Sequence, residues 1–436
     1  MKPVQIGLLG IGTVGGGTFE VLLRNQAEIE RRAGRKIEIT TVADTNTERA
    51  TQLVKGRAKV VSDAGLILSD PSIDIVIELI GGYGIARDLV LKAIDAGKHV
   101  VTANKALIAV HGTEIFSAAQ KKGVTVAFEA AVAGGIPIIK ALREGLSANR
   151  IEWIAGIING TTNYILSEMR SRGLTFAQAL SEAQALGYAE ADPTFDVEGV
   201  DAGHKATILS AIAYGIPVQF NKAHVEGISK LDTQDIAYAE QLGYRIKLLG
   251  MVRRTKHGIE LRVHPCLIPS KRLIANVEGA MNAVMVHGDA VGTTLFYGKG
   301  AGSEPTASAV IADLIDLTRL MTVDSKHRVP HLAFHPNVMS DLEIVPMDYV
   351  VTSYYLRLRV SDRVGVLAEV TGVLANEGIS IDAVLQRPAG AVLNQTDLII
   401  MTHECEEAQL NRVIASLSAI ESVHGDIVRI RKEELN

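Results

Sequence analysis

Short apolar runs alternate with stretches of helical periodicity over about the first 130 residues of the chain. The runs predict strands and the periodic stretches predict helices. The predicted strands are Val4–Leu9, Ile37–Ala43, Ile73–Leu79, His99–Thr102 and Val124–Glu129, and the predicted helices are Ile85–Ala96 and Ala106–Lys121. This alternation predicts an α/β domain over residues 1–130, with a parallel sheet between helices and a ligand crevice at the carboxyl ends of the strands.

From residue 131 to about 345 the pattern mixes strands and helices less regularly. A glycine-rich turn at 133–137 opens a helix that is predicted to run through Leu146. The further predicted elements are strands Ile151–Ile158, Lys247–Arg253, Ile259–Pro265 and Ala283–His287, and helices Tyr164–Ser171, Thr175–Leu186 and Val200–Tyr214. We expect this region to be an α+β domain for substrate binding and dimerisation.

The segment after Pro346, residues 353–431, predicts a third domain. Its elements are Tyr354–Val360 (strand), Val364–Glu377 (helix), Ala383–Gln386 and Gln395–Thr402 (strands), Ala408–Ala419 (helix) and Ile427–Ile430 (strand). The order βαββαβ is that of a ferredoxin-like sandwich. A small sheet of this kind exposes an edge strand and commonly pairs with a second copy.

Composition narrows the class of protein. The chain has 436 residues, which suggests about three domains, and it is 47% hydrophobic with a net charge of −5. This charge does not favour nucleic-acid binding, and no apolar run is long enough to span a bilayer. The first strand starts directly after the N-terminus, and the two cysteines, Cys266 and Cys405, resemble reduced, buried side chains. We therefore expect a soluble cytoplasmic protein.

The strongest motif joins the first strand to the first helix. Gly10-Ile11-Gly12-Thr13-Val14-Gly15 has the spacing GxGxxG between an apolar strand and a helical pattern. In a Rossmann-type domain such a loop binds a dinucleotide pyrophosphate, because the glycines allow a tight turn and close backbone approach. The helix then offers its free N–H groups to the phosphates. The alternative is a glycine-rich turn that binds no ligand.

Other candidate residues follow the predicted strands, namely Asp44, Gly81, Gly82, Asn104 and Lys105. An acid at the end of the second strand usually accepts hydrogen bonds from the adenosine ribose, which favours NAD over NADP for Asp44. Arg49 and Lys59 could offset that preference, so it stays open. The alternative for Asp44 is a helix N-cap before Thr47.

A second group of charged residues lies near the predicted helix Val200–Tyr214. Asp201 and Lys205 are four residues apart and share one face of that helix. The alternative to a functional role is that they form a surface ion pair. The acids Glu190, Asp192 and Asp196 lie just upstream, and such a cluster suits a substrate with an amino group. Lys105 is the second candidate cation, or simply the first residue of the next helix. We interpret His204 and His287 as structural.

Several separated motifs resemble bacterial homoserine dehydrogenases with a C-terminal ACT domain, over essentially the whole chain. They are 10–15, 102–105, 129–137, 156–164, 298–306 and 187–193, the last continuing through Asp196 and Asp201 to Lys205. The resemblance implies reversible hydride transfer between L-homoserine and a nicotinamide, NAD or NADP, which gives L-aspartate 4-semialdehyde. It places the chain in threonine, methionine and isoleucine biosynthesis, as a homodimer or homotetramer.

The resemblance also implies roles for individual residues. Lys105 and Lys205 would bracket the reacting oxygen, with Asp201 as the anchor of the hydroxyl and of Lys205. Glu190 would bind the substrate ammonium, with Thr161 and Asp196 in the substrate site. The family's sodium site corresponds to Glu129 and the backbone carbonyls of Val132, Gly134 and Ile136. The cofactor site would contain Gly10, Gly12, Thr13, Val14, Gly15, Asp44, Asn104 and Lys105, and a late loop, Gly302 with Ser303 and Glu304, would return to it.

Two other functions stay open from sequence. One is a related dehydrogenase for another small amino or hydroxy acid. The other is a cofactor-binding regulatory protein without chemistry. The ACT-like motifs 362–367 and 376–381 suggest feedback inhibition by L-threonine, with Gly365 and neighbouring N–H groups receiving its carboxylate. The alternative is a module that only drives oligomerisation.

Overall fold

The computed structural model describes residues 2–388 and 394–436 and divides the chain into two compact units. The first unit contains 1–160, 201–223 and 280–342, and the second contains 161–200, 224–279 and 343–436. The region 131–345 therefore contributes to both units, and residues 353–431 share the second unit with two earlier segments. None of the described helices is long and apolar enough to cross a membrane.

The strands of the described residues are as follows. They are β1 (Val4–Leu9), β2 (Ile37–Ala43), β3 (Lys59–Val61), β4 (Ile75–Glu78), β5 (His99–Thr102), β6 (Val126–Ala127), β7 (Ile151–Ile157), β8 (His224–Val225), β9 (Tyr244–Thr255), β10 (Gly258–Pro269), β11 (Met281–Gly288), β12 (Gly292–Lys299), β13 (Val351–Ser361), β14 (Ile381–Pro388), β15 (Gln395–Thr402), β16 (Cys405–Glu406) and β17 (Val423–Lys432).

The helices of the same residues are as follows. They are α1 (Thr13–Arg24), α2 (Gln26–Ala33), α3 (Thr47–Val54), α4 (Gly65–Ser69), α5 (Gly84–Asp95), α6 (Lys105–Lys122), α7 (Ile138–Lys140), α8 (Gly160–Arg172), α9 (Phe176–Ala185), α10 (Thr194–Val197), α11 (Val200–Tyr214), α12 (Thr233–Gln241), α13 (Ser303–Leu320), α14 (Val366–Asn376) and α15 (Glu407–Ser418).

The first unit is built on a parallel sheet with the strand order β3-β2-β1-β4-β5-β6. Its strands β1 and β4 are almost entirely buried, because helices cover both faces. Strand order reverses between β1 and β4, which is where such sheets bind dinucleotides. The same unit contains an antiparallel set in which β11 pairs with both β7 and β12. The predicted parallel α/β domain is confirmed.

Some predicted elements differ from the structure. The strand predicted over Ile73–Leu79 is shorter, and the one over Val124–Glu129 keeps only two residues, because Glu129 begins a 3₁₀ turn whose first N–H donates to Asp313. The helix predicted to end at Leu146 is a short α-helix followed by a π-helical turn, in which the Leu146 N–H bonds to the carbonyl of Ala141. Strands β3 and β12 were missed, because β3 has only three residues and begins at the exposed Lys59, and β12 contains two glycines and two threonines.

The second unit contains the predicted βαββαβ arrangement. Strands β13, β15, β14 and β17 form an antiparallel sheet in the order β17-β13-β15-β14, and α14 and α15 bury their apolar faces in its core. Strand β17 also pairs in parallel with β10, which forms an antiparallel hairpin with β9. One edge of the ferredoxin-like sheet is therefore covered by the same chain, and β14 forms the other edge.

Candidate active site

The glycine loop has the geometry that its sequence predicts. Gly10 has φ +88°, and a side chain there would collide with the carbonyl of Leu79. A Cβ atom on Gly15 would lie 2.2 Å from the carbonyl oxygen of Gly10, so Gly15 is needed because helix α1 begins against the loop itself. Nothing lies within 4 Å of a Cβ built on Gly12, which is the N-cap of α1. This open space at a helix N-terminus fits a phosphate group.

Asp44 holds this loop in place. Its carboxylate accepts hydrogen bonds from the backbone N–H of Ile11 and of Asn46, both at 2.8 Å. The N-cap alternative for Asp44 is wrong, because the N-cap of α3 is Asn46, whose side chain accepts from the Arg49 N–H. Asp44 therefore lies at the end of β2 beside the glycine loop, as expected for an acid that contacts a ribose.

The late glycine loop returns to the first helix of the same unit. Gly302 has φ +120° and is the N-cap of α13, and the Ser303 hydroxyl donates to the carbonyl of Thr13 at 2.8 Å. A Cβ on Gly17 would lie 2.3 Å from the Ser303 hydroxyl, so a glycine is required on α1. Arg24 and Glu304 form an exposed ion pair between the same two helices.

A buried acid organises the ends of β4 and β5. Glu78 accepts hydrogen bonds from the N–H groups of Ile80 and Gly81 with one carboxylate oxygen, and from the Thr102 hydroxyl with the other. Asn104 caps α6 with its side-chain oxygen and donates from its amide to the carbonyl of Gly82 at 2.8 Å. Sequence reasoning missed Glu78, although an acid that ends an apolar strand is a recognisable signal.

The candidate catalytic centre is a single carboxylate shared by two lysines. The ammonium of Lys105 lies 2.6 Å from one oxygen of Asp201, and that of Lys205 lies 2.7 Å from the other. Lys205 also donates to the carbonyl of Ile158 at 2.7 Å, and the amide of Asn159 donates to Asp201 at 2.7 Å. Lys105 is the first residue of α6, and its side chain still reaches Asp201 from there.

Burial changes the interpretation of the Asp201–Lys205 pair. Only 1% of Asp201 and 8% of Lys205 is exposed, because every residue of α11 from Asp201 to Tyr214 is buried. The surface ion-pair alternative is therefore wrong. Burial alone would raise the pKa of Asp201, but the nearby ammonium groups of Lys205 and Lys105 outweigh it and hold that pKa below its ordinary value. Asp201 thus stays ionised.

His204 lies next to this centre and contacts aromatic rings. Its ring packs edge-on against Phe220 with centroids 4.2 Å apart, and against Tyr83 at 6.3 Å. Burial lowers the pKa of His204 to about 4, so the imidazole is neutral at physiological pH. This geometry agrees with the structural interpretation of His204. His287 instead stacks face to face on Trp153, with ring centroids 5.3 Å apart.

The residues of the expected sodium site form a buried turn. Glu129 is 2% exposed, and its two oxygens accept the N–H groups of Ile139 and Lys140 at the start of α7. Burial, together with the nearby carboxylate of Asp313, raises the pKa of Glu129 to about 7. Ala133 and Gly134 have positive φ angles, which turn the backbone sharply between the expected carbonyl ligands. The described residues contain no cluster of three or more His, Cys, Asp or Glu that could hold a metal.

Three predicted substrate residues belong to the second unit. Thr161 lies in the first turn of α8 and donates its hydroxyl to the carbonyl of Tyr188 at 2.6 Å. Glu190 is exposed in the turn after α9, where its carbonyl and that of Ala191 accept from the Gln184 amide. Asp196 lies in the short helix α10. Their contacts with substrate stay predictions.

The fit of a dinucleotide rests on the open space at Gly12, the uncapped start of α1 and Asp44 at the end of β2. A parallel sheet with this loop, joined in one chain to a ferredoxin-like module, defines an NAD(P)-binding enzyme with an ACT domain. A family model described as homoserine dehydrogenase matches residues 137–315, its NAD-binding domain matches 10–129, and an ACT-domain model matches 354–422. The chain belongs to the homoserine dehydrogenase family.

Relatives support this assignment along the full length. The chain is 61% identical to a homoserine dehydrogenase of Pseudomonas aeruginosa, with complete coverage of both chains. It is also similar to the solved homoserine dehydrogenase of Thiobacillus denitrificans, with 62% identity, TM-score 0.96 and coverage of 100% and 99%. A hyperthermophilic archaeal homoserine dehydrogenase in complex with NADPH is 27% identical, with TM-score 0.62 and coverage of 73% and 98%. An NAD(P) cofactor is consistent with these comparisons.

Proposed function

We propose that this chain catalyses the reversible NAD(P)-dependent interconversion of L-homoserine and L-aspartate 4-semialdehyde. The observation that carries the proposal is the pair of ammonium groups, Lys105 and Lys205, on one buried carboxylate. When bound, the nicotinamide supplies or accepts the hydride. The residues of the chain then have to stabilise the charge that develops on the substrate oxygen and move one proton.

The two lysines suit these tasks electrostatically. Reduction of the aldehyde builds alkoxide-like charge on its oxygen, and fixed ammonium groups in a site of low polarity stabilise such charge strongly. We infer that Lys205 donates the proton, because Asp201 and the Ile158 carbonyl fix its side chain. Lys105, at the start of α6, would polarise the same oxygen. Asp201 remains a carboxylate throughout and keeps both lysines oriented.

Substrate recognition follows from charge. Glu190 would bind the ammonium of homoserine, since a carboxylate is the natural partner of an amine. Asp196 and Thr161 would complete the substrate site. These roles are inferred from the family motif at 187–196 and from the acidic composition of that loop. These roles would be supported if a Glu190→Ala variant lost activity on homoserine but kept activity on substrates without an amino group.

The cofactor site would use the glycine loop, with Thr13 and Val14 at the helix start, and Asn104 near the nicotinamide. Asp44 would contact the ribose and disfavour a 2′-phosphate, whereas Arg49 and Lys59 would attract one. Glu129 and the carbonyls of Val132, Gly134 and Ile136 would hold a sodium ion. That ion would supply no chemistry of its own, and would neutralise the buried carboxylate and stabilise the turn.

The ACT module would add regulation to the reaction. We infer a division into a cofactor domain (1–130), a substrate and dimerisation domain (131–345) and an ACT domain (353–431), since the three matched models fall within these ranges. L-threonine, as an end product of the pathway, would bind at the loop 362–367, where Gly365 has φ +95° and α14 begins without a side-chain cap. Homodimers or homotetramers would pair these modules.

The test is a set of initial rates at 340 nm with homoserine and either NAD or NADP, each with and without threonine. Turnover with homoserine is expected with at least one cofactor, and absence of any absorbance change would refute the proposal. Threonine is expected to inhibit the full-length chain. A substitution in the 362–367 loop tests this better than a truncation, because Glu433 is the partner of buried Arg262 at 2.6 Å. A truncation that removes Glu433 would take away one of the two carboxylates that pair with Arg262, the other being that of Glu260.

A further inference from the structure

Two side chains, from Thr161 and Gln184, hold the backbone of the loop that carries Glu190. The Thr161 hydroxyl donates to the Tyr188 carbonyl at 2.6 Å. The Gln184 amide donates to the carbonyls of Glu190 and Ala191 at 3.1 and 3.3 Å. Three backbone carbonyls in four residues are therefore fixed by side chains from two different helices, α8 and α9.

The support on the α8 side is itself rigid. Thr161 is 7% exposed, in the first turn of the helix. In the same turn the Asn163 amide donates to the carbonyls of Val277 and Gly279, at 3.1 and 2.9 Å, and its oxygen accepts from the buried ammonium of Lys247 at 3.0 Å. The start of α8 is thus tied to strand β9 and to the segment before β11. The Thr161 hydroxyl therefore belongs to a helix turn that several hydrogen bonds hold in place.

On the α9 side, the contact between Gln184 and the loop depends on how that helix ends. Gln184 lies in its last turn, and the N–H groups of Tyr188 and Ala189 both donate to the carbonyl of Ala183. Gly187, with φ +74°, lets the chain reverse there so that the Gln184 amide faces the loop. The Tyr188 ring also packs against the Tyr164 ring, with centroids 5.0 Å apart.

We propose that Thr161 and Gln184 are positioning residues that hold the Glu190 carboxylate ready for the substrate ammonium. An exposed glutamate on a loosely held loop would lose conformational entropy on binding, and fixing the loop beforehand avoids that cost. The hydroxyl hydrogen of Thr161 is then donated to the loop, and the hydroxyl oxygen can still accept a hydrogen bond from the substrate ammonium. This inference rests on the proposed role of Glu190 in binding homoserine.

The experiment compares Thr161→Val, Thr161→Ser and Gln184→Met in the full-length enzyme by two measurements. Hydrogen exchange of residues 186–192 in the free enzyme is expected to speed up in Thr161→Val and Gln184→Met, and to stay as in the parent for Thr161→Ser. The KM for homoserine is expected to rise about 3- to 10-fold in the first two variants, as for loss of one neutral hydrogen bond, with kcat and cofactor affinity little changed. Ser181→Ala, an exposed change on α9, is the matched control.

Unchanged exchange and unchanged KM in both Thr161→Val and Gln184→Met would overturn the positioning proposal. A separate variant, Glu190→Gln, distinguishes this from failure of the substrate assignment. If Glu190→Gln leaves the KM for homoserine unchanged while the loop exchanges faster in the other variants, Glu190 does not bind substrate although the loop contacts are real. If Glu190→Gln raises KM and the loop variants change nothing, only the positioning role is lost.

Discussion

Replacing Asp201 by asparagine is the sharpest test of the catalytic centre. The substitution keeps the shape of the side chain and removes the charge between two ammonium groups that lie 2.6 and 2.7 Å from its oxygens. Asparagine still offers one oxygen as an acceptor, but its NH₂ group faces a donor. One of the two lysines therefore loses its partner and its orientation.

The size of the effect follows from burial. Breaking a buried ion pair by removing one partner costs about 3 to 5 kcal/mol, and Asp201 is 1% exposed. Misplacing one group that stabilises an oxyanion costs about 10²- to 10³-fold in kcat. Loss of this negative charge also lowers the pKa of the adjacent lysines, because a nearby carboxylate favours the charged ammonium form. The high-pH limb of aldehyde reduction should therefore move to lower pH.

The assay is kcat for aldehyde reduction as a function of pH, together with the unfolding midpoint in urea. The control is Asp95→Asn, because Asp95 is 91% exposed and lies 3.6 Å from Lys122, so the same change in an exposed Asp–Lys pair should alter stability by less than about 1 kcal/mol. The reasoning is refuted if Asp201→Asn keeps kcat within threefold of the parent with an unchanged pH profile.

Three further predictions address the proton donor, the cation and acid stability. Lys205→Ala should lower kcat by at least about 10²-fold, whereas near-normal turnover would exclude it as the general acid. At sodium concentrations ten to a hundred times its dissociation constant, NaCl should stabilise the protein by about 1 to 3 kcal/mol relative to choline chloride. Glu129→Gln should abolish this difference. Equal unfolding midpoints of the parent in both salts would argue against a sodium site. Burial lowers the pKa of His331 to about 4, and its ring accepts the Val126 N–H, so the unfolded state binds more protons between pH 4 and 6.5 and stability falls as pH falls through that range. Between pH 7 and 5, the free energy of unfolding should fall by about 2 kcal/mol less in His331→Gln than in the parent. The same fall in both proteins, measured by urea titration, would contradict this.

Much of the fold is local in origin and could be predicted. Strands β1, β2 and β5 have the expected limits because each is a continuous apolar run between polar turns. Helix α11 also has its expected limits. The shape of the glycine loop follows from the glycines themselves, since positive φ and close contact with a carbonyl exclude other residues at Gly10 and Gly15.

Other features depend on partners that are distant in sequence. Periodicity cannot show that α11 is buried on all sides, so the Asp201–Lys205 pair resembled an exposed one until its surroundings were known. Asn159 was missed for the same reason, because its importance comes from its contact with Asp201. Asn46 and not Asp44 caps α3, and the Asp44 carboxylate instead accepts from the distant Ile11 N–H.

The residue order alone determined the order of strands and helices, the glycine loop and the family, because each depends on neighbouring residues or on motifs read along the chain. Only the tertiary structure decided that two lysines a hundred positions apart share one carboxylate, and that this carboxylate is shielded from water. The physical reason is that the interaction energy of two charges depends on their distance and on their exposure to solvent, and both are set by how the helices pack.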